Sequence, residues 1–538
     1  MDKQKILAKL KGGLIVSCQA EGEEPLNSPQ ILAALAKAAI EGGARGIRAE
    51  RPENLLEIKK SIKLPIIGLY KKKYHGSEVY ITPTLTEALE VIATGIDILA
   101  LDATNRPRPN QEILADIIRA VRKKKDVLLM ADIATLEQGL HAAELGFDFM
   151  GTTLSGYTEN TSRKAVGNTP DFELLSALVA HVGNKIPIIA EGRFWTADDC
   201  IEALRRGAFA VVVGTAITRP TVMTRKIVDQ IERFHRVQNS VAIGVDLGGT
   251  KTAIGLVSYP GAVKSKKIIT SKWNEGTGSV VSDIISEINK IIESFDRPIN
   301  AIGIAASGRV DQEKGFVFDG VPLANDYFNY PLKDEISTAL NLPVIIENDA
   351  NAAAYAEYWY RKDDPPQRLA FLTIGTGIGG GIVIDGKLLR GQGNAGEIGH
   401  ICIEQNGKKC RCGRTGCLEA YVSRKLLEQE ILEYLPSVGL ASLSLTTDTM
   451  IKFIKSNHPE VMKIFHRQMD YLASGLETVF NIVDPDLLVL GGELARLGNI
   501  LVENLQNRLL RPIHIKASKL GNDAGMIGAA LLAMKEMK

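Results

Sequence analysis

Residues 1–230 repeat one pattern of hydrophobic and polar positions. A short, nearly continuous apolar run is followed by a polar loop, and then by a stretch such as SPQILAALAKAAIEGG (28–43) whose apolar residues recur every three or four positions. Apolar runs that alternate with amphipathic helices predict a parallel sheet with both faces covered. The predicted strands are residues 14–19, 45–49, 64–71, 97–102, 127–132, 148–153, 187–192 and 210–215.

The number and spacing of these strands predict a closed barrel. Eight strand–helix units within roughly 230 residues match the (β/α)8, or TIM, barrel of the α/β class. An open, doubly wound sheet is the alternative that the pattern leaves. In a barrel, the side chains that do chemistry are expected at the carboxyl ends of the strands.

The pattern changes near residue 240. The polar stretch ERFHRVQNSV (232–241) predicts a joint between two domains, which we place at residues 1–234 and 240–538. Beyond the joint, strands come in adjacent pairs with Gly-rich turns, as in IGVDLGGTKTAIGLV (243–257). The second domain is therefore predicted to be a different kind of α/β fold from the first.

Composition and charge narrow the classes of function. A chain of 538 residues with 45% hydrophobic and 24% charged residues is expected to form two packed globular domains. The net charge of +1 argues against nucleic acid as a partner. The first residues lack the apolar region of a signal peptide, and no apolar run approaches the ~20 residues of a membrane span. We expect a cytoplasmic protein that binds small molecules.

Two Gly-rich turns in the second domain are candidate phosphate-binding sites. DLGGTK (246–251) is followed by a strand pattern, so it predicts a hairpin whose glycines let backbone N–H groups approach a phosphate, and not a Walker A loop. TIGTGIGGGIVI (373–384) has the same layout, although a simple tight turn would explain either segment alone. The candidate nucleotide-binding residues are Asp246, Gly248, Gly249, Thr250, Lys251, Gly375, Thr376, Gly377, Gly379 and Gly380.

Asp349 is the candidate general base of this domain. It follows the apolar strand LPVII (342–346) and opens an alanine-rich helix. A helix cap is the simpler interpretation of an Asp at this position. The functional interpretation is a carboxylate that accepts the proton of a sugar hydroxyl while that hydroxyl attacks the γ-phosphate of a nucleotide.

A cluster of His400, Cys410, Cys412 and Cys417 within eighteen residues predicts a metal site. Three Cys and one His fill the four positions of a tetrahedral zinc ion, so no position remains for a reacting water molecule. The alternative is a loop of reduced thiols. A closed zinc site would shape the loop that presents Glu397, His400 and Glu419.

The motifs of residues 241–538 resemble those of the ROK sugar kinases. The motifs are DLGGTK (246–251), ENDANAA (347–353), GTGIGGG (375–381), GEIGH (396–400), CRCGRTGCLE (410–419) and LGNDAGMIGAA (520–530). The resemblance implies an actin-like two-lobed fold with ATP and Mg²⁺ between the lobes, Asp349 as base and zinc on the His–Cys cluster. It also implies sugar contacts by Gly308, Arg309, Asn348, Asp349, Glu397, His400 and Glu419.

Within that family, ASGRV (306–310) together with Glu397, His400 and Glu419 looks like the N-acetylmannosamine kinases. One departure is VPLANDYF (321–328), which replaces the more usual Asn-Leu-x-x-Trp of the sugar-side loop. Glucose and N-acetylglucosamine therefore stay open as alternative substrates. Some family members are repressors that begin with a DNA-binding helix-turn-helix, whereas this chain begins with the predicted barrel.

Polar side chains at the ends of the barrel strands form the second candidate site. Helix caps and salt bridges explain any one of them alone, but together they suit proton transfer at a carbon next to a carbonyl group. The last two strand ends suit a phosphate group, as is typical of barrels. The residues at these ends are Gln19, Arg48, Lys71, Asp102, Asp132, Thr153, Glu191, Gly192, Arg193, Gly214 and Thr215.

Residues 5–232 resemble N-acylglucosamine-6-phosphate 2-epimerase. The motifs are IVSCQA (15–20), GARGIRAE (43–50), PIIGLYKKKY (65–74), VYITPT (79–84), MADIAT (130–135), TLSGYT (153–158) and IAEGRF (189–194). The resemblance implies that Lys71 and Glu191 carry the proton transfers at C2. It further implies substrate contacts by Gln19, Arg48, Asp132 and Arg193. Where this chain has Lys72 and Lys73 the family usually has Arg-Asp, and we expect both lysines to lie in solvent.

The two resemblances share an intermediate. A kinase that makes N-acetylmannosamine 6-phosphate would feed an epimerase that turns it into N-acetylglucosamine 6-phosphate, and these are consecutive steps of sialic acid breakdown. The alternative from another class is a sugar-sensing binding protein with one inactive domain. Because both families commonly self-associate, we also expect a homo-oligomer.

Overall fold

A computed structural model describes residues 2–20, 22–165, 168–320, 323–434 and 445–536. The chain divides into two compact units, Met1–Ile231 and Glu232–Lys538. Within the described ranges, no helix is both long enough and apolar enough to cross a membrane.

The first unit is a closed barrel of parallel strands, as the sequence predicts. Each strand pairs with the next, and the last pairs with the first, so the open-sheet alternative is wrong. The second, fourth and fifth strands are buried at every position, which explains their nearly continuous apolar runs. The strands are β1 (Leu14–Cys18), β2 (Gly46–Glu50), β3 (Ile66–Leu69), β4 (Ile98–Asp102), β5 (Leu128–Asp132), β6 (Phe149–Gly151), β7 (Ile188–Glu191) and β8 (Ala210–Val213).

Helices of this unit begin at the capping residues that the sequence provides. The Ser28 hydroxyl accepts a hydrogen bond from the Ile31 amide, and Thr196 and Asp199 form a reciprocal capping box. The predicted polar joint begins inside a helix, because α10 continues to Gln238. The helices are α1 (Lys3–Leu10), α2 (Pro29–Glu41), α3 (Pro52–Ser61), α4 (Leu85–Ala93), α5 (Leu114–Lys124), α6 (Leu136–Glu144), α7 (Phe172–Val182), α8 (Ala197–Arg205), α9 (Thr215–Thr218) and α10 (Pro220–Gln238).

The second unit contains two five-stranded sheets, as expected for the two lobes of the kinase fold. The sheets have the strand orders β11-β10-β9-β12-β15 and β18-β17-β16-β19-β20, and β13 pairs with β14 in a separate hairpin. The strands are β9 (Val241–Leu247), β10 (Lys251–Ser258), β11 (Ala262–Thr270), β12 (Ala301–Ala306), β13 (Arg309–Asp311), β14 (Phe316–Asp319), β15 (Val344–Asn348), β16 (Arg368–Ile374), β17 (Ile378–Ile384), β18 (Lys387–Leu388), β19 (Leu487–Gly491) and β20 (Ile515–Ala517).

Two of its helices lie between the sheets. They are α13, which packs on the second sheet, and α18, which packs on the first and on α13. The helices are α11 (Thr277–Ser294), α12 (Leu332–Leu340), α13 (Asp349–Tyr360), α14 (Arg424–Tyr434), α15 (Thr447–Lys455), α16 (Pro459–Val483), α17 (Asn499–Gln506) and α18 (Ala524–Glu536).

The packing of α18 requires glycine at its closest contacts. A Cβ atom at Gly244 of β9 would lie 1.9 Å from the Met526 carbonyl oxygen, and one at Gly528 would lie 1.7 Å from the Ala352 carbonyl oxygen of α13. Such distances are far inside van der Waals contact. The small residues of LGNDAGMIGAA therefore let this helix sit against both β9 and α13.

Candidate functional site

A cavity of about 330 Å³ opens at the carboxyl ends of the barrel strands. The structure brings most of the predicted barrel residues to its wall, and adds others that the strand ends did not indicate. The predicted residues on the wall are Gln19, Arg48, Lys71, Thr153, Glu191, Gly192, Arg193, Gly214 and Thr215. The additional polar and aromatic residues are Ser17, Tyr80, Tyr157, Phe194, Trp195, Thr218 and Arg219.

A buried ionic network forms one side of this cavity. The Arg48 guanidinium donates to both carboxylate oxygens of Asp132, at 3.2 and 2.6 Å, and its Nε lies 3.2 Å from Glu191 Oε1. Arg48 and Asp132 are 1% and 0% exposed, so neither charge is stable there without the other. Thr153 Oγ1 lies 2.7 Å from Asp132 Oδ1 and 3.1 Å from Glu191 Oε2. The network fixes the orientation of Glu191.

Burial raises the pKa of Glu191 to about 7, against the opposing charge of Arg48. The nearby Asp132 raises this pKa further, whereas Thr153 and Lys71 lower it. A carboxyl group that titrates near neutral pH can both accept and return a proton. The role of Glu191 in proton transfer stays a prediction, with which this raised pKa is compatible.

Arg193 was expected to bind substrate, and the structure gives its guanidinium backbone partners. Its Nε donates to the Thr169 carbonyl oxygen at 2.7 Å, and its Nη1 donates to the Ser155 carbonyl oxygen at 2.6 Å. The residue has a φ of 60°, an uncommon backbone conformation for a residue with a side chain. These contacts tie Ser155 and Thr169 to the end of β7, while the Arg193 side chain still lines the cavity.

Two cationic residues of the barrel make contacts that the sequence did not indicate. Arg219 lines the cavity beside Thr215 and pairs with Glu24, but it follows no strand directly, so the strand-end pattern could not indicate it. Lys72 was expected in solvent, yet its Nζ lies 2.9 Å from Oε1 of the fully buried Glu87. The Lys72 side chain is nevertheless 45% exposed, as expected, and its partner on α4 is the contact that the sequence did not indicate. The Lys73 side chain is exposed, as expected.

Both Gly-rich turns of the second unit are hairpins, as predicted. Residues 248–250 connect β9 to β10, and residues 375–377 connect β16 to β17. Gly379 and Gly380 lie within β17, where close packing accounts for glycine. A Cβ atom at Gly379 would lie 3.0 Å from Ala350 Cβ, and one at Gly380 would lie 2.5 Å from the Gly396 carbonyl oxygen.

Asp349 is the first residue of α13, and its neighbour Asn348 caps the helix. Asn348 Oδ1 accepts from the Asn351 amide at 3.0 Å, and its Nδ2 donates to the Gly308 carbonyl oxygen at 3.0 Å. Because the cap is supplied by Asn348, Asp349 is not needed for it. Burial raises the pKa of Asp349 to about 6, and the negative charge of Glu397 contributes to the rise. The charges of the two predicted sugar-site acids therefore act on each other.

Asp246 brings a second acid close to Asp349. Burial raises the pKa of Asp246 to about 7, and the charges of Asp349 and Asp523 contribute. Its carboxylate lies against the first turn of α18, because a Cβ atom at Gly525 would be 2.7 Å from Asp246 Oδ2. Asp246 lies at the end of β9 and Asp349 at the start of α13, whereas Asp523, which precedes α18, also pairs with Lys266.

The His–Cys cluster has the dimensions of a tetrahedral metal site. The candidate ligand atoms of His400, Cys410, Cys412 and Cys417 all lie within 4.8 Å of one another. His400 Nδ1 lies 3.7 Å from Cys410 Sγ, and the sulfur atoms of Cys412 and Cys417 are also 3.7 Å apart. Zinc–sulfur bonds of about 2.3 Å give tetrahedral edges of about this length. The cluster is therefore consistent with structural zinc.

His400 and Glu419 connect the cluster to the rest of the site. His400 Nε2 lies 3.9 Å from Glu397 Oε2, so its two ring nitrogens face the cluster and the acid separately. Glu419 Oε2 accepts from the Ile378 amide at 2.9 Å, and its Oε1 pairs with Arg411 at 3.1 Å. Glu419 thus holds the second Gly-rich turn in place.

The sugar-side loop and its neighbours show contacts that sequence did not indicate. Arg309, a predicted sugar contact, pairs with Asp319 and donates to Asn394. The segment 321–328 departs from the usual motif of the family, and its residues 321–322 lie outside the described residues. Within the described part, the Tyr327 hydroxyl donates to the Ser307 carbonyl oxygen at 2.8 Å.

Glu347 anchors the segment that carries Asn348 and Asp349. It is 2% exposed, and its carboxylate accepts from Arg390 at 2.7 Å and from the Asn348 amide at 2.9 Å. Gln312 and Asn351 also donate to it. The position of Glu347 beside the predicted base was the only signal in the sequence for this role.

Comparisons with known proteins match the two parts of the chain to two different families. The profile described as "ROK family" matches residues 242–536, and the one described as "Putative N-acetylmannosamine-6-phosphate epimerase" matches residues 32–233. The "Bifunctional enzyme NanE/NanK" of Brucella melitensis is 34% identical over 549 aligned positions, which cover 98% of each chain.

Solved structures resemble each half separately. The N-acetylmannosamine-6-phosphate 2-epimerase from Clostridium perfringens is 47% identical, with a TM-score of 0.41, over 43% of this chain and 98% of its own. A ROK family glucokinase from Streptomyces griseus is 31% identical, with a TM-score of 0.49, over 55% of this chain and 99% of its own. By the profile matches and the full-length identity, the chain belongs to the ROK family in its second half and, as a whole, to the bifunctional NanE/NanK enzymes.

Proposed function

We propose that residues 240–538 transfer the γ-phosphate of ATP to O6 of N-acetylmannosamine, and that residues 1–234 invert C2 of the product. The second reaction yields N-acetylglucosamine 6-phosphate, so the two are consecutive steps of sialic acid breakdown. The full-length relative from Brucella supports the combination, since its name joins the two enzymes. The observation that carries the barrel half is the presence of Lys71 and Glu191 in one cavity.

Epimerisation requires a base on each side of C2, or one base that reaches both. In the open-chain sugar, C2–H lies next to an aldehyde and becomes acidic enough for a side chain to remove the proton. Lys71 and Glu191 take and return this proton, and inversion follows when the proton returns on the opposite face. Arg48 and Thr153 hold Glu191 in place, with Asp132 as the buried counter-charge.

The 6-phosphate is bound at the last two strand ends. Gly192, Gly214 and Thr215 line this side of the cavity and present backbone N–H groups, and Arg219 adds a positive charge next to them. Gln19, which follows β1, and Arg193, which follows β7, complete the substrate contacts. A phosphate here keeps the sugar oriented while its ring is open.

In the kinase half, Asp349 accepts the proton of the 6-hydroxyl group. ATP would supply the phosphoryl group, with Mg²⁺ to offset the charge on its phosphates. The hairpin turns 248–251 and 375–377 would cradle the nucleotide phosphates, and Asp246 would hold the cation on the nucleotide. Gly308, Arg309, Asn348, Glu397, His400 and Glu419 surround the sugar and select it.

Zinc fits the cluster of His400, Cys410, Cys412 and Cys417. The ligand types and their 3.7 Å separations are those of a closed structural site. Zinc bound there would fix the loop between His400 and Glu419. Its place in the reaction is indirect, since it orients His400 towards Glu397.

A panel of sugars tests the kinase assignment. Purified protein is given Mg-ATP with N-acetylmannosamine, N-acetylglucosamine or glucose, and ADP release is measured. We expect the highest kcat/KM with N-acetylmannosamine. A preference for glucose or N-acetylglucosamine would replace the proposed substrate, and no turnover with any sugar would favour a binding protein with an inactive kinase half.

A further inference from the structure

The segment that follows β3 holds Lys71 in a short two-stranded arrangement. Lys71 and Ile81 form an antiparallel bridge, and the Lys72 amide donates to the Tyr80 carbonyl oxygen at 2.9 Å. The Thr82 amide donates to the Tyr70 carbonyl oxygen at 2.7 Å. The backbone at Lys71 is therefore extended and paired, although it lies beyond the end of the barrel strand.

Glu87 of α4 makes a buried carboxylate network with this segment. Its side chain is 0% exposed. Oε1 accepts from Lys72 Nζ at 2.9 Å and from the Tyr74 hydroxyl at 2.7 Å, and Oε2 accepts from the Thr84 hydroxyl. A buried carboxylate requires such donors, because it has left the water that would otherwise solvate it.

Lys71 and Lys72 have opposite surroundings because side chains alternate along an extended segment. Lys71 lines the substrate cavity, whereas Lys72 lies against Glu87. The salt bridge that holds Lys72 therefore sets the direction of the Lys71 side chain. Tyr74, two residues further on, returns to the same carboxylate and prevents the segment from twisting about Lys72.

We propose that Glu87 is a positioning residue for the epimerisation, which acts through Lys72 and Tyr74 to hold Lys71 at the substrate. The inference rests on the proposed epimerase function. Glu87 does not line the cavity itself. Its role is to fix the backbone register and direction of the segment that carries the proposed base.

The partner segment of this two-stranded arrangement, residues 80–83, is held independently of Glu87 by Arg108. Thr82 is fully buried with a φ of 45°, which is rare for a β-branched residue and needs support from its surroundings. Arg108 provides this support, since Nη1 donates to the carbonyl oxygens of Thr82 and Pro83 at 3.3 and 2.9 Å. With the 80–83 side fixed, the Glu87 contacts decide where the Lys71 side lies.

Three variants of the full chain test the role of Glu87. Glu87→Gln keeps the size of the side chain and removes its charge, and Lys72→Met and Tyr74→Phe remove its partners one at a time. We expect Glu87→Gln and Lys72→Met to lower the kcat of epimerisation by about 10-fold to 100-fold, the cost of a small misplacement of a reacting group, with a much smaller change in KM. Lys73→Met is the matched control, because Lys73 is exposed and adjacent, and it should retain wild-type kcat.

The kinase rate in the same molecule shows whether the protein is intact. We expect it to be unchanged in every variant. Should Glu87→Gln prove poorly folded, Lys72→Met carries the test, since the Lys72 side chain is 45% exposed and its loss is tolerated more easily. A wild-type kcat in Lys72→Met and Tyr74→Phe would overturn the inference.

Exchange of the C2 proton in D2O distinguishes a misplaced Lys71 from a general loss of structure in the barrel site. With two bases, Glu191 still removes the proton of one epimer when Lys71 is misplaced. We expect Glu87→Gln and Lys72→Met to keep C2 exchange in one of the two sugar phosphates while exchange in the other falls with net epimerisation. If one base serves both faces of C2, exchange should fall equally in both sugars. Exchange at the wild-type rate in both sugars would overturn the positioning role. Absence of exchange in the wild-type protein would overturn the proposed epimerisation, and this inference with it.

Discussion

Two half-buried carboxyl groups carry the proposed chemistry, one in each half of the chain. Burial raises the pKa of Glu191 to about 7 and that of Asp349 to about 6. The neighbours differ, since Glu191 is held by Arg48 and Thr153, whereas Asp349 faces the acid Glu397. A base whose pKa lies near the working pH combines a useful deprotonated fraction with good proton affinity. Both residues therefore suit proton transfer at neutral pH.

The raised pKa of Glu191 gives the epimerase a characteristic pH profile. Below this pKa the carboxyl is protonated and cannot accept a proton, so kcat/KM should fall as the pH decreases through about 7. The measurement is the initial rate of epimerisation across a range from about pH 5 to about pH 9. Activity that stays constant down to about pH 4.3, the ordinary value for glutamate, would contradict Glu191 as the base.

Asp349→Asn should abolish most of the kinase activity. The amide cannot accept the hydroxyl proton, so we expect kcat of phosphorylation to fall by about 10² to 10⁴, with sugar affinity largely retained. The rate of ADP release and the Kd for the sugar measure the two quantities. Asp334→Asn is a matched control, because Asp334 is also an acid in a first helical turn but is exposed. Loss of activity in the control, or its retention in Asp349→Asn, would be contrary to the proposed role.

For individual strands, turns and loops, the sequence was sufficient to predict the structure wherever a local pattern decides it. The buried strands of the barrel read as continuous apolar runs, and the two Gly-rich hairpins followed from strand patterns on both sides of a turn. The His–Cys cluster was visible because its ligands lie within eighteen residues.

Contacts between distant segments could not be predicted from such patterns. Arg48 and Asp132 are 84 residues apart, and nothing local shows that their side chains pair and leave solvent together. The salt bridge of Lys72 was missed for a similar reason, since its partner Glu87 lies 15 residues away on a helix whose acid could equally have been solvated. Gly379 and Gly380 looked like phosphate-turn residues, whereas their surroundings in β17 are set by packing against Ala350 and Gly396.

Removal of the zinc cluster should affect only the kinase half of the chain. Cys412→Ser should lower bound zinc from about one equivalent to well below half, and should reduce kinase activity because the loop from His400 to Glu419 loses its anchor. Elemental analysis measures the metal, and the two activities are assayed on the same sample. Cys402→Ser is the control, because Cys402 is an exposed free thiol outside the cluster. Full zinc content in Cys412→Ser would be incompatible with the ligand set.

At the scale of the whole molecule, the chain joins two reactions that share an intermediate. The barrel cavity and the kinase site are built from separate units, Met1–Ile231 and Glu232–Lys538. Each unit has its own hydrophobic core and its own acid–base groups. We therefore expect substitutions in one half to change one activity and to leave the other as an internal control.

The most direct test of the joint function is one NMR experiment in D2O. The purified protein is incubated with N-acetylmannosamine and Mg-ATP, and the products are followed over time. We expect N-acetylglucosamine 6-phosphate with deuterium at C2, which requires phosphorylation, inversion and exchange with solvent in the same sample. Accumulation of N-acetylmannosamine 6-phosphate with its C2 proton retained would contradict the epimerase half, and absence of any sugar phosphate would contradict the proposed kinase substrate.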